Sequence, residues 1–440
     1  MGGVVQTLPA RTTTRARRRP AMIPLWLLAL FAGGMLLAGG SNSVQDVGDY
    51  HCYALAFWSG AHAAAQLPPG DCLMPISSLS TLPFHTLPTE YGPLALLAFL
   101  PPLIFPAAWY TTIFYVEMTV VALAIAFLLD RYGPVWAGHV WLIYALFGSW
   151  VLAASRFDLA PSACVVVAII AARRGALRWA YVALAVGTLM KLYPLALLPL
   201  LLIVSWRARE REPFWRGPAL LSGVVVTVEA VAAALTPAAP LTPLTFMGAR
   251  CVQIESISAT FASLQAALLH VRPEYPYAFN STCESTAGMG AAQLIALGLG
   301  VVGIAATIAL FWRRRITLGM AALLLLGSLI VGSKVFSPQY LLWLSPLVAL
   351  EYGANAVALL GWSMVGAFTT LCFPYSYNGS LGESLNVSSD LMIELTAGAR
   401  NLLMLALGGA AIARRLLWVG KASETGALAD AQSIQTMEAL

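Results

Sequence analysis

Charge is scarce in this chain. Only 10% of its 440 residues are Asp, Glu, Lys or Arg, against 59% hydrophobic, and the mean hydropathy is +0.77. A water-soluble domain needs a polar shell that this composition cannot supply, so a soluble core-and-shell fold is excluded. Histidine is also rare: five residues, at 51, 62, 85, 139 and 270, show no HxxxH-type spacing, and no structural metal is implied. Long basic blocks are absent as well. The net charge of +5 comes mostly from short arginine clusters, which read as topology signals under the positive-inside rule and not as a nucleic-acid-binding surface. No internal repeat is visible, and the paired halves of many secondary transporters are therefore missing.

What is present is a succession of apolar runs. The expectation is an all-α polytopic membrane protein of about 12 crossings, within a range of 10 to 13. Residues 1–22 form a basic arm, and the run after it is long enough to be a retained helix instead of a signal peptide. Residues 23–416 form the membrane domain and 417–440 an inner tail. Basic flanks such as WRRR at 312–315 and RRLLW at 414–418 mark inner ends. Two basic segments, ARRGALRW and RAREREPFWR, both belong inside, so the chain between them goes out and back as two short helices that turn at Lys191. The same parity puts SRFDLAP outside. Half-length helices require a buried or wet surrounding, which makes these turns candidates for the wall of an external cavity. The first external loop runs from 41 to 106 and carries interfacial helices, with GPLALLAFLPPLIFP at 92–106 read as interfacial or re-entrant. A long external loop covers 237–289, and the loop at 373–390 is rich in Ser, Asn and Gly.

Ionisable groups at an apolar boundary are expensive and default to function. On this topology Asp46, Asp49, Arg156, Asp158, Lys191, Arg250, Glu255 and Lys334 all gather outside. Acids and bases around one cavity suit transfer from a phosphorylated donor: a carboxylate takes the proton of an attacking hydroxyl and a cation neutralises the departing phosphate. The blander reading is local pairing, Arg156 with Asp158 and Arg250 with Glu255. Asp49 also suits the N-cap of the helix that follows it. Cysteine is limited to six residues, yet Cys52 with Cys72 and Cys251 with Cys283 fall on the external side, where a disulfide is permitted and would pin a loop.

These residues resemble a known family. DYHCY in the first loop, EYGPL at 90–94, SRFDLAP, MKLYPLALLPLLL, VQIES at 252–256 and SKVFSPQYLLWLSPL at 333–347 are similar to segments of the GT-C class of membrane glycosyltransferases. Within it they resemble the polyprenyl-phosphate-dependent mannosyltransferases of actinobacteria (family 87, DUF2029-like), over residues 23 to 416. The resemblance implies the GT-C fold in a bacterial inner membrane. It also implies transfer of a sugar, most simply mannose, from a polyprenyl-phosphate donor to a cell-envelope glycolipid or polysaccharide at the outer face. The catalytic acid with a tyrosine a few residues on falls on Asp49 and Tyr53, although Tyr50 stands where that family usually has an apolar residue. Asp46 is a second acid. Lys191, Lys334 and Arg156 are assigned to the donor phosphate, and Asp158, Tyr193, Gln339, Tyr340, Tyr53, Glu255 and Gln253 to sugar or acceptor. No cofactor is required; a divalent ion bridging Asp46 or Asp49 to the phosphate is compatible with the residues. The alternatives are arabinofuranosyl transfer and, from another class, a lipid or solute transporter whose charged cavity performs no chemistry.

Overall fold

The computed structural model describes residue 33 and residues 45–68, 70–72, 74–209, 213–279 and 281–438. The expected first crossing and its basic arm lie outside these residues. The chain is mostly helical, at 74%. Among the described residues the α-helices of six residues or more are, in chain order, α1 (Gln45–Ser59), α2 (Tyr110–Tyr132), α3 (Ala137–Ser155), α4 (Leu159–Arg173) and α5 (Leu177–Met190). They continue as α6 (Leu198–Arg207), α7 (Arg216–Leu235), α8 (Thr242–Ala249), α9 (Ile257–Leu269) and α10 (Met289–Trp312). The remainder are α11 (Leu318–Val331), α12 (Leu341–Tyr352), α13 (Ala356–Thr370), α14 (Ser380–Leu385) and α15 (Ser389–Glu438). The β structure among the described residues is a two-residue hairpin, Tyr277–Ala278 against Ser281–Thr282, with isolated bridges beside it.

Two kinds of helix divide the work. Among the described residues, five helical segments are long and apolar enough to cross a membrane: Ala107–Tyr132, Arg216–Leu235, Met289–Trp312, Ala356–Ser376 and Ser389–Leu417. Each leaves most of its apolar surface unburied, as a lipid-facing helix does. The others are shorter, and several of them lie inside. In α12 every residue from Leu341 to Leu350 is buried, and the helix packs against α3, α4, α11 and α13. At 12 residues it is only about 18 Å long, shorter than a bilayer core, so it depends on its neighbours to shield its ends. Short helices need definite starts, and side chains provide several: Ser256, Thr317 and Asn355 each accept the backbone N–H three residues on.

The segment 92–106 is not one helix. Prolines divide it into the turns Pro93–Ala95, Leu96–Phe99 and Pro101–Ile104, because each proline removes a helical donor and restricts the residue before it. The loop at 373–390 is likewise less featureless than its composition suggests, since it holds α14. The long loop at 237–289 is built from α8, α9 and the hairpin. It is closed by a disulfide between Cys251 and Cys283, with the Cα atoms 5.9 Å apart; Cys52 in α1 is bonded to Cys72 at 5.4 Å. Gly48 makes the second of these approaches feasible, because a Cβ there would meet the Asp71 backbone at 2.8 Å.

The helix directions separate the charges into two ends. At one end Arg173 reaches Glu351 at 3.0 Å, Thr317 donates to the same carboxylate at 2.6 Å, and Arg207 caps the Trp312 carbonyl at 3.0 Å. The SRFDLAP and KLYP turns lie at the opposite ends of α4 and α5, and there the candidate site is found.

Candidate functional site

The turn between α3 and α4 sets the first pair of charges. Arg156 leaves α3 with extended backbone and Asp158 enters α4 in the helical region, so two residues separated by Phe157 alone send their side chains to different partners. Arg156 pairs with Asp46 of α1, and Asp158 accepts from Lys191 at 2.7 Å. The local Arg156–Asp158 pair expected from sequence is therefore not formed as the main contact. Asp158 also accepts the Trp343 indole N–H at 2.7 Å. With its side chain almost fully buried, it needs those two charge-assisted or polar donors to remain inside.

Lys191 sits in an aromatic enclosure. Its amine lies 5.4 Å from the ring centroids of Tyr91, Phe157 and Trp343 and 5.9 Å from that of Tyr340, so quadrupole attraction from four rings supplements Asp158. The rings brace one another. Trp343 is sandwiched between Tyr193 at 3.9 Å and Tyr340 at 3.8 Å, and Tyr50 packs among Tyr91, Phe99, Phe114 and Phe157. Tyr50 is thus a buried ring of this packing.

α1 carries both acids one turn apart, because residues three apart share a helix face. Asp49 is the fifth residue of the helix, inside it, and the N-cap role is excluded by its position. Burial pushes the Asp46 carboxyl upward and Arg156 draws it back. Asp49 lies near Tyr53, whose hydroxyl is committed to Thr89: 2.9 Å to its Oγ1 and 3.2 Å from its backbone N–H. Tyr53 thereby fastens the EYGPL segment to α1. Gly92 completes the fit, since its N–H reaches the Met190 carbonyl at 3.1 Å and a Cβ there would stand 2.1 Å from the Leu189 carbonyl oxygen. Glu90 and Tyr91 are delivered to the charged cluster as a result. Burial raises the Glu90 carboxyl, opposed by Arg250.

The other predicted residues fall around this centre or outside it. Lys334 is exposed, its amine 3.4 Å from the Gly248 carbonyl, and it is not part of the Lys191 enclosure. Gln339 accepts from Ser337. Arg250 donates to Ser281 at 3.3 Å, not to Glu255. Glu255 is fully buried, takes a hydrogen bond from Gln253, and contacts the Cys372 thiol at 3.6 Å. Burial drives its carboxyl up to about 7.

Arg400 and Asn401 are residues the sequence reading missed. Arg400, inside α15 and wholly buried, donates to the carbonyls of Glu255 at 2.7 Å and Phe336 at 3.2 Å, with its guanidinium 3.8 Å over the Phe336 ring. Asn401 donates to the Glu255 and Ser256 carbonyls. The VQIES and KVFSPQY loops are held to the membrane helix by these two side chains. An arginine within an apolar run was itself a signal; Glu90, in the quoted EYGPL, was another.

No protein-family model matches the chain, and comparison with curated proteins gives no match. The arrangement must carry its own argument. Chemically, it offers two carboxylates on one helix face, two half-buried cations held by acids from other segments, and stacked aromatic rings of the kind that support sugar or lipid contacts.

Proposed function

We propose that the chain is a membrane glycosyltransferase of the GT-C type, moving a sugar from a polyprenyl-phosphate donor to an envelope glycolipid or polysaccharide at the outer face of a bacterial inner membrane. The observation that supports this best is the convergence of Asp46 with Arg156, Asp158 and Lys191, with Asp49 three residues on in the same helix. They come from three separate segments, with Arg156 110 residues from Asp46 and Lys191 33 from Asp158. An inverting displacement requires only a base, cations at the leaving phosphate and positioning.

In this reading Asp49 takes the proton from an acceptor hydroxyl, whose oxygen attacks the anomeric carbon. The bond from that carbon to the phosphate oxygen breaks, and polyprenyl phosphate leaves with the electron pair. Lys191 donates one of its three hydrogens to Asp158 and presents the others, with Arg156, to the phosphate. Asp46 holds Arg156 in place. Tyr193, Tyr340 and Trp343 form the ring wall against which the sugar or the first isoprene unit rests. Gln339 precedes Tyr340 of that wall, while Glu255 fixes the loops through its carbonyl, which accepts from Arg400 and Asn401.

The test is a direct assay. Purified protein is incubated with polyprenyl-phosphate mannose and, separately, with the arabinose donor, together with a glycolipid acceptor. Release of polyprenyl phosphate with a new glycosidic product supports transfer and names the sugar. Net substrate flux across sealed vesicles with no such product would replace this reading by a transporter.

A further inference from the structure

A second feature lies at the other end of the bundle. Between α10, α11, α13 and α15 runs an open groove of ≈ 780 Å³, lined by apolar side chains such as Leu299, Leu323, Val331 and Trp362. It is there because side chains are missing. Ideal Cβ atoms at Gly327, Gly408 and Gly409 would meet nothing within 4 Å. The groove follows α11 from Met320 to Val331, roughly 17 Å at the helical rise, close to the ~15 Å occupied by the chains of one leaflet. Its mouth is marked by Arg414 and Arg415, both exposed, with Tyr352 and Asn355 beside them, and no acidic residue lines it among those described.

We infer that this groove binds one anionic glycerophospholipid, with an acyl chain along the glycine-lined channel and the headgroup phosphate at Arg414 and Arg415. Charge complementarity decides the occupant. A zwitterionic lipid would fill the channel equally well but would present an ammonium to two guanidinium groups, whereas a phosphate with net negative charge pairs with both. A polyprenyl phosphate is disfavoured by position, because the arginines follow Tyr352 and Asn355 at the ends of α12 and α13 remote from Lys191 and Tyr340. The inference does not rest on the proposed transfer reaction.

The test uses full-length protein in detergent, washed free of lipid and titrated with phosphatidylglycerol or phosphatidylcholine while bound lipid is counted by native mass spectrometry. Wild-type protein should retain one phosphatidylglycerol at least about tenfold more tightly than phosphatidylcholine. Arg414→Gln with Arg415→Gln should cost about 30-fold for phosphatidylglycerol and little for phosphatidylcholine. Gly408→Leu, with Gly327→Leu as a second filling variant should the first fold poorly, should abolish retention of both lipids at an undiminished melting temperature. Equal retention of the two lipids, or unchanged retention by the double glutamine variant, would overturn the proposal. So would displacement of phosphatidylglycerol by polyprenyl phosphate, or a lipid-free dimer that Gly408→Leu separates.

Discussion

Two clusters of charge among the described residues differ in what their charges touch. In one, Arg156 and Lys191 are met by the carboxylates of Asp46 and Asp158, which come from other segments. In the other, Arg400 and Asn401 spend most of their hydrogen bonds on the backbone carbonyls of Glu255, Ser256 and Phe336, the rest going to one another and to the Thr260 hydroxyl. Side-chain partners can be exchanged for a ligand without unfolding anything, since a phosphate replaces a carboxylate at a guanidinium with similar geometry. Backbone partners cannot be exchanged in this way. The first cluster is thus suited to chemistry and the second to holding loops, and substitution should separate them cleanly.

The largest effect is expected at Asp49. Asp49→Ala should lower sugar transfer by about 10²- to 10⁴-fold, the range for loss of a general base, with donor binding and melting temperature unchanged. Unaltered transfer by this variant would remove the base assignment. Arg400→Ala should do the reverse. Deleting one partner of a buried charged network costs on the order of 3–5 kcal/mol, so the variant should accumulate poorly or melt far earlier. Should it remain as stable as wild type while losing donor affinity, the division between the clusters fails.

A smaller and more local effect is expected at Trp343. Trp343→Phe keeps a ring between Tyr193 and Tyr340 but removes the indole donor to Asp158. Loss of a hydrogen bond to a charged acceptor is worth about 1.5–3 kcal/mol, part of which Lys191 and water recover. The expected result is roughly a tenfold rise in KM for the donor with a smaller change in kcat. Equal kinetics in the two proteins would show that the indole acts only as a packing surface.

Much of the first cluster was legible because charge in so apolar a chain stands out, and because RFD and KLYP sit where short helices must turn. The pairing was not legible. Arg156 and Asp158 look like local partners, and only the change of backbone conformation between them sends one to α1 and the other to Lys191. Lys334 was grouped with Lys191 because both are lysines at turns on one side; side-chain direction separates them. Arg400 was obscured by the run it interrupts, since TAGARNLLML still reads as part of a crossing. The helical class and the presence of short internal helices followed from run lengths. Which of them is wholly enclosed, as α12 is, depends on packing that periodicity does not report: its apolar residues surround it on every side.

The smallest prediction concerns the disulfide-closed loop beside the second cluster and tests whether it is purely structural. Glu284 is buried beside the Cys251–Cys283 link, and Ser263 donates to it at 3.1 Å while reaching Glu394 at 2.9 Å. Burial, and then Glu394, raise the Glu284 carboxyl to about 8. An acid whose folded pKa exceeds its unfolded value holds its proton better when folded. Its contribution to stability is therefore full below the unfolded value near 4.5 and falls as pH rises to about 8. Glu284→Gln cannot titrate. Between about pH 5 and pH 8.5 the wild type should lose roughly 2 °C or more of melting temperature relative to this variant, by differential scanning fluorimetry. Transfer activity at pH 7 should be the same in both, because the carboxyl is neutral there and the amide replaces it in shape. A parallel pH dependence in wild type and Glu284→Gln would mean that the Glu284 carboxyl does not set it. A loss of transfer at unchanged stability would join this loop to the chemistry of the first cluster.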